Sequence, residues 1–316
     1  CDGSELVAIC DTDSRRLEEV AARFPGVATA VDADEILSRS DIDVVSVASY
    51  DHFHFPQVRR ALETDKHVIV EKPAFVTPDE AASIRALLAE KRHLRLTTNV
   101  PLRLEPRFVA VREMIMNGQF GEIYHLEGDY DYGRRFKLTD GWRGREPGYS
   151  VVLGGAIHLI DLLTWMTGLT VRRVCGAVGT NLATRGSIFH GLDTVTAIME
   201  TDTGATMKVT ANFGSVSRHF HGVRIYGTKA TFVNGLPDAT VYTHVTEHAE
   251  GKAQALKIAY PVAAKSGLVR EFISSIHGAK SDVVPCDEVF RALNTCFMIE
   301  RALGRVDSPD GAADAD

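Results

Sequence analysis

The sequence predicts an α/β protein in which a parallel sheet covered by helices is followed by an α+β domain with a large, mostly antiparallel open sheet. Strand and helix patterns alternate through the first hundred residues, which is typical of repeated βα units. Beyond Thr98 this alternation ends, and from Val171 onward strand signals dominate. We therefore expect one domain at residues 1–98, a second at residues 99–304 and a disordered acidic tail at residues 305–316.

The elements of the first domain follow from local patterns. The run 67–70 (HVIV) is rich in β-branched residues, which is typical of a buried strand. After it, Thr77 fits a helix N-cap, Pro78 the first helical position and Glu80 a capping box. Further strands are expected at residues 5–10, 27–30, 43–49 (also buried) and 94–98, and further helices at 14–24, 34–38 and 56–62.

The second domain shows one clear hairpin signature. Strand patterns at residues 194–199 and 205–213 flank the turn Asp202-Thr203-Gly204. A helix starting near Gly155 would place His158 and Asp161, at i and i+3, on one face. Other strands are expected at residues 123–130, 223–226, 231–233 and 240–242, and other helices at 107–117, 269–277 and 287–303.

The composition narrows the class of protein. The chain has 316 residues, of which 45% are hydrophobic and 24% charged, as in soluble globular proteins. Its net charge of −7 argues against nucleic acid as a partner. No apolar run approaches the ~20 residues of a membrane span. Five cysteines without a CxxC pair favour free thiols in the cytoplasm.

Polar residues follow three of the predicted strands, at Asp11, in the 50–54 loop and at 71–73. The carboxyl ends of parallel strands share one rim, where such folds bind their ligands. Asp11 fits the carboxylate that accepts hydrogen bonds from an adenosine ribose in dinucleotide-binding folds. The alternative is that Asp11 only ends its strand or caps the next helix.

One expected motif is absent. A GxGxxG fingerprint should lie roughly 20 residues before such an aspartate, but only ten residues precede Asp11, and the motif occurs nowhere else. We expect that the first strand and its phosphate-binding turn are missing, so that the parallel sheet is incomplete. This chain should then bind a dinucleotide weakly, because the backbone N–H groups of that turn normally hold the pyrophosphate.

Candidate chemistry in the second domain is concentrated at residues 140–168, where glycines precede His158. A lone histidine on an apolar helix is more often a satisfied core residue than a catalyst. The histidines at 52 and 54, and those at 219 and 221, share one side of a strand at i and i+2. Without Cys or Glu at ligand spacing they are weak evidence for a metal, and we expect none.

Several motifs now resemble a known family. Residues 43–73 end in Glu71-Lys72-Pro73, and this segment resembles the signature of the GFO/IDH/MocA oxidoreductases (glucose–fructose oxidoreductase, inositol dehydrogenase and rhizopine-catabolism proteins). Three later segments are similar to further motifs of the family, in the same order: 103–106 (RLEP), 148–168 and 227–231 (GTKAT). The similarity runs from about Leu6 to Gly304 and so spans nearly the whole chain.

The resemblance implies a Rossmann domain, a substrate-binding and oligomerisation domain, and hydride transfer between a nicotinamide and a carbinol carbon of a sugar or polyol. It implies that Lys72 lies by the nicotinamide and hydrogen-bonds the substrate hydroxyl, and that the Lys72–Pro73 peptide is cis. His158 would bind substrate and take the hydroxyl proton as general base. The other positions implied to bind the cofactor are Asp11, Ser49, His54, Glu71 and Pro73.

The sequence departs from the family at two points. Many members have an aspartate four residues before the histidine, where this chain has Gly154, and Asp161 or Asp140 could substitute for it. Tyr50-Asp51 replaces a common Pro-Asn. The positions expected to bind substrate are Arg103, Trp142, Arg143, His158 and Asp161; Arg103 could equally be structural.

We expect NAD rather than NADP, because the carboxylate of Asp11 would repel a 2′-phosphate, although Arg15 and Arg16 follow closely. The leading prediction is an NAD-dependent dehydrogenase of a sugar or an inositol-like polyol, acting through Lys72 and His158. The alternatives are an NAD-dependent glycoside hydrolase that uses transient oxidation, and a catalytically silent binding subunit. The resemblance also implies a homodimer or homotetramer formed through the second-domain sheet.

Overall fold

The computed structural model describes residues 3–243, 250–262, 266–279 and 285–305. The chain divides into two compact units, Cys1–Pro101 with Ala264–Phe290, and Leu102–Ala263 with Arg291–Asp316. A late segment of the chain thus belongs to the first unit, whereas the sequence assigned it to the second domain. The predicted limits 1–98 and 99–304 stay a prediction. Residues 306–316 of the predicted tail lie outside the described residues.

The first unit contains five parallel strands in two sheets, one of β1 and β2 and one in the order β3, β4, β5. This confirms the predicted Rossmann-type parallel sheet. The strands are β1 Ala8–Cys10, β2 Ala28–Ala30, β3 Val44–Val47, β4 His67–Val70 and β5 Leu96–Thr98. The helices are α1 Ser14–Arg23, α2 Ala33–Leu37, α3 His54–Glu63, α4 Pro78–Glu90 and, late in the chain, α9 Ser266–Ile276.

The predictions for β4 and α4 are confirmed. Val68, Ile69 and Val70 are buried, because β4 is the middle strand of its sheet. Thr77 accepts a hydrogen bond from the backbone N–H of Glu80, and both halves of the capping box form. The prediction that β3 is buried is wrong for three of its four residues. β3 is an edge strand that pairs only with β4, so Val47 alone is buried.

The second unit is built on an eight-stranded sheet in the order β13, β12, β11, β10, β6, β9, β8, β7. Only the β6–β9 pair is parallel, which confirms the mostly antiparallel sheet. The strands are β6 Ile123–Asp131, β7 Val171–Thr180, β8 Thr194–Thr201, β9 Thr206–Asn212, β10 Phe220–Gly227, β11 Ala230–Val233, β12 Ala239–Thr243 and β13 Lys252–Leu256. The helices are α5 Pro106–Met116, α6 Phe136–Thr139, α7 Trp142–Arg145, α8 Ile157–Thr167 and α10 Cys286–Ala302, which begins in the first unit.

One face of this sheet packs on α8. A side chain at Gly128 of β6 would lie 3.0–3.2 Å from Leu159 and Leu163, so glycine allows the helix to approach the strand closely. The opposite face has cross-strand ion pairs, including Lys208–Asp129 and Arg224–Glu127 at 2.8 Å. Association of copies through this sheet stays a prediction.

The Asp202–Gly204 hairpin is confirmed between β8 and β9. β13 was not predicted from the sequence, because its segment KAQAL has no β-branched or aromatic residue and is mostly exposed. In the part of the chain that the structure describes, no helix has the length and apolar character needed to cross a membrane.

Candidate active site

Lys72 follows β4 at its carboxyl end, and both residues beside it are fixed. Glu71 Oε1 accepts a hydrogen bond from Asn99 Nδ2 at 2.6 Å, and Asn99 directly follows β5. The carbonyl oxygen of Pro73 lies 2.7 Å from Nδ1 of His54. The Lys72–Pro73 peptide is cis, as predicted. Because each neighbour is tied to a different element, the backbone of Lys72 is held at the rim of the sheet.

His54 joins two loops. Its side chain is fully buried, and its ring nitrogens lie 2.7 Å from the carbonyl oxygen of Pro73 and 3.1 Å from that of Ser49. One imidazole therefore connects the segments that follow β3 and β4. These contacts support a positioning role for His54, and the contact with cofactor expected of it stays a prediction. The Ser49 hydroxyl donates to Gln57 Oε1 at 2.8 Å.

Asp11 directly follows β1, and its side chain is about a third exposed (35%). Its Oδ1 accepts from the backbone N–H of Asp13 at 2.9 Å, and Oδ2 lies 3.9 Å from Arg16. The alternative that Asp11 caps the next helix is wrong, because Asp13 is the N-cap of α1. A partly exposed carboxylate at a strand end is chemically suited to accept hydrogen bonds from ribose hydroxyls.

In the second unit, His158 lies among aromatic rings of the sheet. Its ring stacks on Tyr130 of β6 with centroids 5.6 Å apart and 16° between the planes. His221 of β10 and His219, which directly precedes that strand, have rings 4.7 Å from each other and 5.2 Å (His219) and 5.3 Å (His221) from Tyr130. The His221 ring is 6.4 Å from that of His158. His158 therefore belongs to a cluster of aromatic and histidine rings, and the choice between a core residue and a catalyst stays a prediction.

From the sequence alone, His219 and His221 are candidates only for binding a metal. His221 pairs with Tyr130 across the sheet, and His219, two residues earlier, contacts the same ring. Their i, i+2 spacing is a signal that could have placed both beside His158 once the strand order was known. Across the described ranges, no set of three or more His, Cys, Asp or Glu side chains is arranged to hold a metal ion.

His221 is held neutral by its surroundings. Burial, assisted by the nearby His219 and Arg134, lowers the pKa of His221 to about 3 from an ordinary value of 6.5. Its Nδ1 is in hydrogen-bond contact with the hydroxyl of Tyr260.

We expect this histidine to make the fold acid-sensitive. The unfolded chain protonates His221 below pH 6.5, whereas the folded chain does so only near pH 3, so stability is lost as pH falls through that window. The loss is about 1.4 kcal/mol per pH unit, or ~2 kcal/mol between pH 6.5 and 5. Urea unfolding of the native chain and of His221→Asn at both pH values measures it. An identical pH dependence in the two proteins would contradict the expectation.

Arg103 and Asp161, both predicted to bind substrate, form a buried ion pair. Arg103 Nη2 lies 2.6 Å from Asp161 Oδ1, and Nε lies 2.9 Å from Oδ2, a bidentate arrangement. The two side chains are 3% and 2% exposed. The guanidinium also lies 5.7 Å from the ring centroid of Trp165. These contacts favour a structural role, which was the alternative for Arg103.

Trp142 and Arg143 of α7 pack together with Tyr149, a residue that the sequence did not single out. The Arg143 guanidinium lies 4.6 Å from the Trp142 ring centroid, and its Nε donates to the Tyr149 hydroxyl at 3.1 Å. The Trp142 and Tyr149 rings meet edge to face at 6.0 Å. The substrate contacts expected of Trp142 and Arg143 stay predictions.

The chain matches known proteins over most of its length. Residues 1–100 match the model of an oxidoreductase family with an NAD-binding Rossmann fold, and residues 108–233 match the GFO/IDH/MocA C-terminal domain. An uncharacterized oxidoreductase of Schizosaccharomyces pombe is 34% identical over 140 residues, which are 44% of this chain and 38% of that protein. The inositol 2-dehydrogenase of Acidothermus cellulolyticus is 27% identical over 217 residues, 67% of this chain and 60% of that protein.

The matched segments thus span between 38% and 60% of the length of these two relatives. Among solved structures, the myo-inositol 2-dehydrogenase of Lactobacillus plantarum superposes with a TM-score of 0.78 at 18% identity, over 97% of this chain and 92% of that one. This likeness shows the fold.

The match of residues 1–100 to an NAD-binding fold confirms NAD as the predicted cofactor. The two family models match consecutive parts of the chain, in the order in which the sequence motifs occur. The chain therefore belongs to the GFO/IDH/MocA family of oxidoreductases.

Proposed function

We propose that the protein transfers a hydride between NAD and a carbinol carbon of a sugar or polyol, with an inositol-like ring as the leading substrate class. The observation that carries the proposal is the fixed position of Lys72, between Glu71 bound to Asn99 and Pro73 held by His54. The substrate class is supported by relatives such as the inositol 2-dehydrogenase of Acidothermus cellulolyticus.

NAD, when bound, supplies the nicotinamide that accepts the hydride. We propose that Asp11 binds the adenosine ribose and that Ser49, Glu71, Lys72 and Pro73 border the cofactor. Preference for NAD over NADP is supported by the negative charge of Asp11, which would repel a 2′-phosphate. Arg16, 3.9 Å from Asp11, only partly offsets that charge, since its side chain is 71% exposed.

Two side chains of the protein would bind and deprotonate the substrate hydroxyl. We propose that the ammonium of Lys72 donates a hydrogen bond to the hydroxyl oxygen, and that the imidazole of His158 accepts the hydroxyl proton. As that proton leaves, negative charge develops on the oxygen, and the positive charge of Lys72 stabilises it. The stacking of His158 on Tyr130 supports this role, because it restricts the plane of the imidazole.

The experiment that tests the proposal is the appearance of NADH absorbance when the purified chain is given myo-inositol, scyllo-inositol or D-glucose, with NAD at concentrations high enough to offset the weak dinucleotide binding expected of this chain. We expect NADH to form with one of the cyclic polyols. Release of nitrophenol from nitrophenyl glycosides without accumulation of NADH would replace the dehydrogenase by the hydrolase alternative. Binding of NADH without either reaction would indicate a silent subunit.

A further inference from the structure

Gly154 lies one turn before His158, and a side chain there would collide with Tyr149. An ideal Cβ at Gly154 would be 2.3 Å from Tyr149 Oη and 2.9 Å from Cζ, closer than real Cβ atoms come. Glycine within a helix costs roughly 0.5–1 kcal/mol relative to alanine. The position of the Tyr149 phenol explains why residue 154 is a glycine, because the hydroxyl occupies the place that a side chain at 154 would take.

The local backbone adds a second observation. Residues Val152–Ala156 form a single π-helical turn directly before α8. Such turns are rare and are frequently found at functional sites. Positions four residues apart on a helix face the same side, with Cβ atoms about 5–6 Å apart. The phenol therefore occupies, beside Gly154, the side of the helix on which His158 follows one turn later.

The hydroxyl of Tyr149 is held in this position by its surroundings. The side chain is 5% exposed, and its ring meets Phe189 and Phe213 edge to face at 6.3 and 6.4 Å. Arg143 Nε donates to the hydroxyl oxygen at 3.1 Å. A guanidinium only donates and a phenol oxygen has two acceptor lone pairs, so one lone pair is engaged by Arg143 and a second can accept another N–H.

The carboxylates nearby in sequence are engaged elsewhere. Asp161 is bound by both Nε and Nη2 of Arg103. Asp140 is exposed and accepts from Thr139 Oγ1 at 2.6 Å. Tyr149 is therefore the polar side chain that fills the position one turn before His158.

We propose that Tyr149, held by Arg143, is the positioning residue of His158. Its oxygen accepts the imidazole N–H, directly or through one water, so that the other ring nitrogen keeps its lone pair for the substrate proton. In this proposal Arg143 acts through Tyr149. The role of His158 as acceptor of the substrate proton rests on the proposed function. The orientation of its imidazole by Tyr149 does not depend on that function.

The first test is Tyr149→Phe, which removes the hydroxyl and keeps the ring. We expect the ¹⁵N chemical shifts of His158 to change from one tautomer to a mixture, and kcat for the polyol to fall about tenfold with KM unchanged. Tyr226→Phe is the matched control, because Tyr226 lies on the face of β10 opposite to His221. This variant should change neither the ¹⁵N shifts of His158 nor kcat. Native-like ¹⁵N shifts in Tyr149→Phe would overturn the proposal.

The second test exchanges the polar group. In Tyr149→Ala/Gly154→Asp the removed phenol makes room for a carboxylate, and a negative charge beside an imidazole raises its pKa. The acid limb of the pH–rate profile should then move to higher pH than in the native chain. Gly154→Asp alone should be less stable than the double variant, because the phenol is still in place. Equal stability of the two would contradict the stated position of the hydroxyl.

Different results would contradict the proposed function and the proposed role of Tyr149. A native chain that forms no NADH with any polyol contradicts the proposed function, while the ¹⁵N shifts of His158 still decide the role of Tyr149. A chain that is active, and whose Tyr149→Phe variant keeps one tautomer and full kcat, contradicts only the role of Tyr149.

Discussion

Lys72→Met is expected to lower kcat/KM for polyol oxidation by about 10²–10⁴-fold, the range that positioned proton-transfer groups contribute. Methionine is similar in length to lysine but has neither charge nor an N–H donor. The variant therefore loses the hydrogen bond to the substrate hydroxyl and the stabilisation of the negative charge that develops there. Because both effects grow toward the transition state, kcat should fall more than KM rises.

The structure explains why the substitution should leave the backbone in place. The residues on either side of Lys72 make the contacts that hold the turn, Glu71 with Asn99 and Pro73 with His54. These contacts are made by the neighbouring residues, so the turn should keep its backbone conformation in Lys72→Met.

The controls separate charge from position. Lys91→Met removes another lysine of the first unit, one that pairs with Asp65 at 2.8 Å, and should leave kcat/KM unchanged. Lys72→Arg keeps the charge but changes the donor geometry, and should recover only part of the activity. Unchanged turnover in Lys72→Met would contradict the proposed function.

The sequence predicted the fold well where one local rule decided the outcome. The capping box at Thr77, the buried strand 67–70 and the hairpin at Asp202–Gly204 each follow from neighbouring residues, and the structure has all three. The sequence-based prediction failed where the neighbouring strands in the sheet decide whether a strand is buried. β3 has the apolar composition of a central strand, yet it lies at an edge, and no local pattern states which strands will flank it.

The site was less predictable, because side-chain roles depend on contacts between distant residues. No local pattern indicated that the His54 ring would lie against the carbonyl groups of residues 5 and 19 positions away. Arg103 and Asp161 are 58 residues apart and pair only after α8 has folded. Tyr149 could be recognised only from the space beside Gly154, which requires coordinates. Family motifs identify which residues lie near the site. Burial and hydrogen-bonding or ion-pair partners then determine the role of each side chain.

Arg103→Met is expected to lower the free energy of unfolding by about 3–5 kcal/mol, the usual cost of breaking a buried ion pair on one side. The loss arises because the Asp161 carboxylate, 2% exposed, would remain charged without its bidentate partner. Both tryptophans of the chain, Trp142 and Trp165, belong to the second unit, so tryptophan emission during urea unfolding reports its stability.

The double variant Arg103→Met/Asp161→Leu distinguishes a structural pair from a substrate site. Apolar residues of similar volume remove both charges together, and such replacements are often close to neutral in stability. We therefore expect the double variant to recover most of the stability lost in Arg103→Met, with KM for the polyol within about twofold of the native value. If the pair instead binds substrate, as the resemblance implied, stability should change little in either variant while KM rises about tenfold or more, the effect of losing a charged hydrogen bond of ~1.5–3 kcal/mol. The contacts favour the first outcome, because a carboxylate that receives two N–H donors from a buried guanidinium has little accepting capacity left for a polyol hydroxyl.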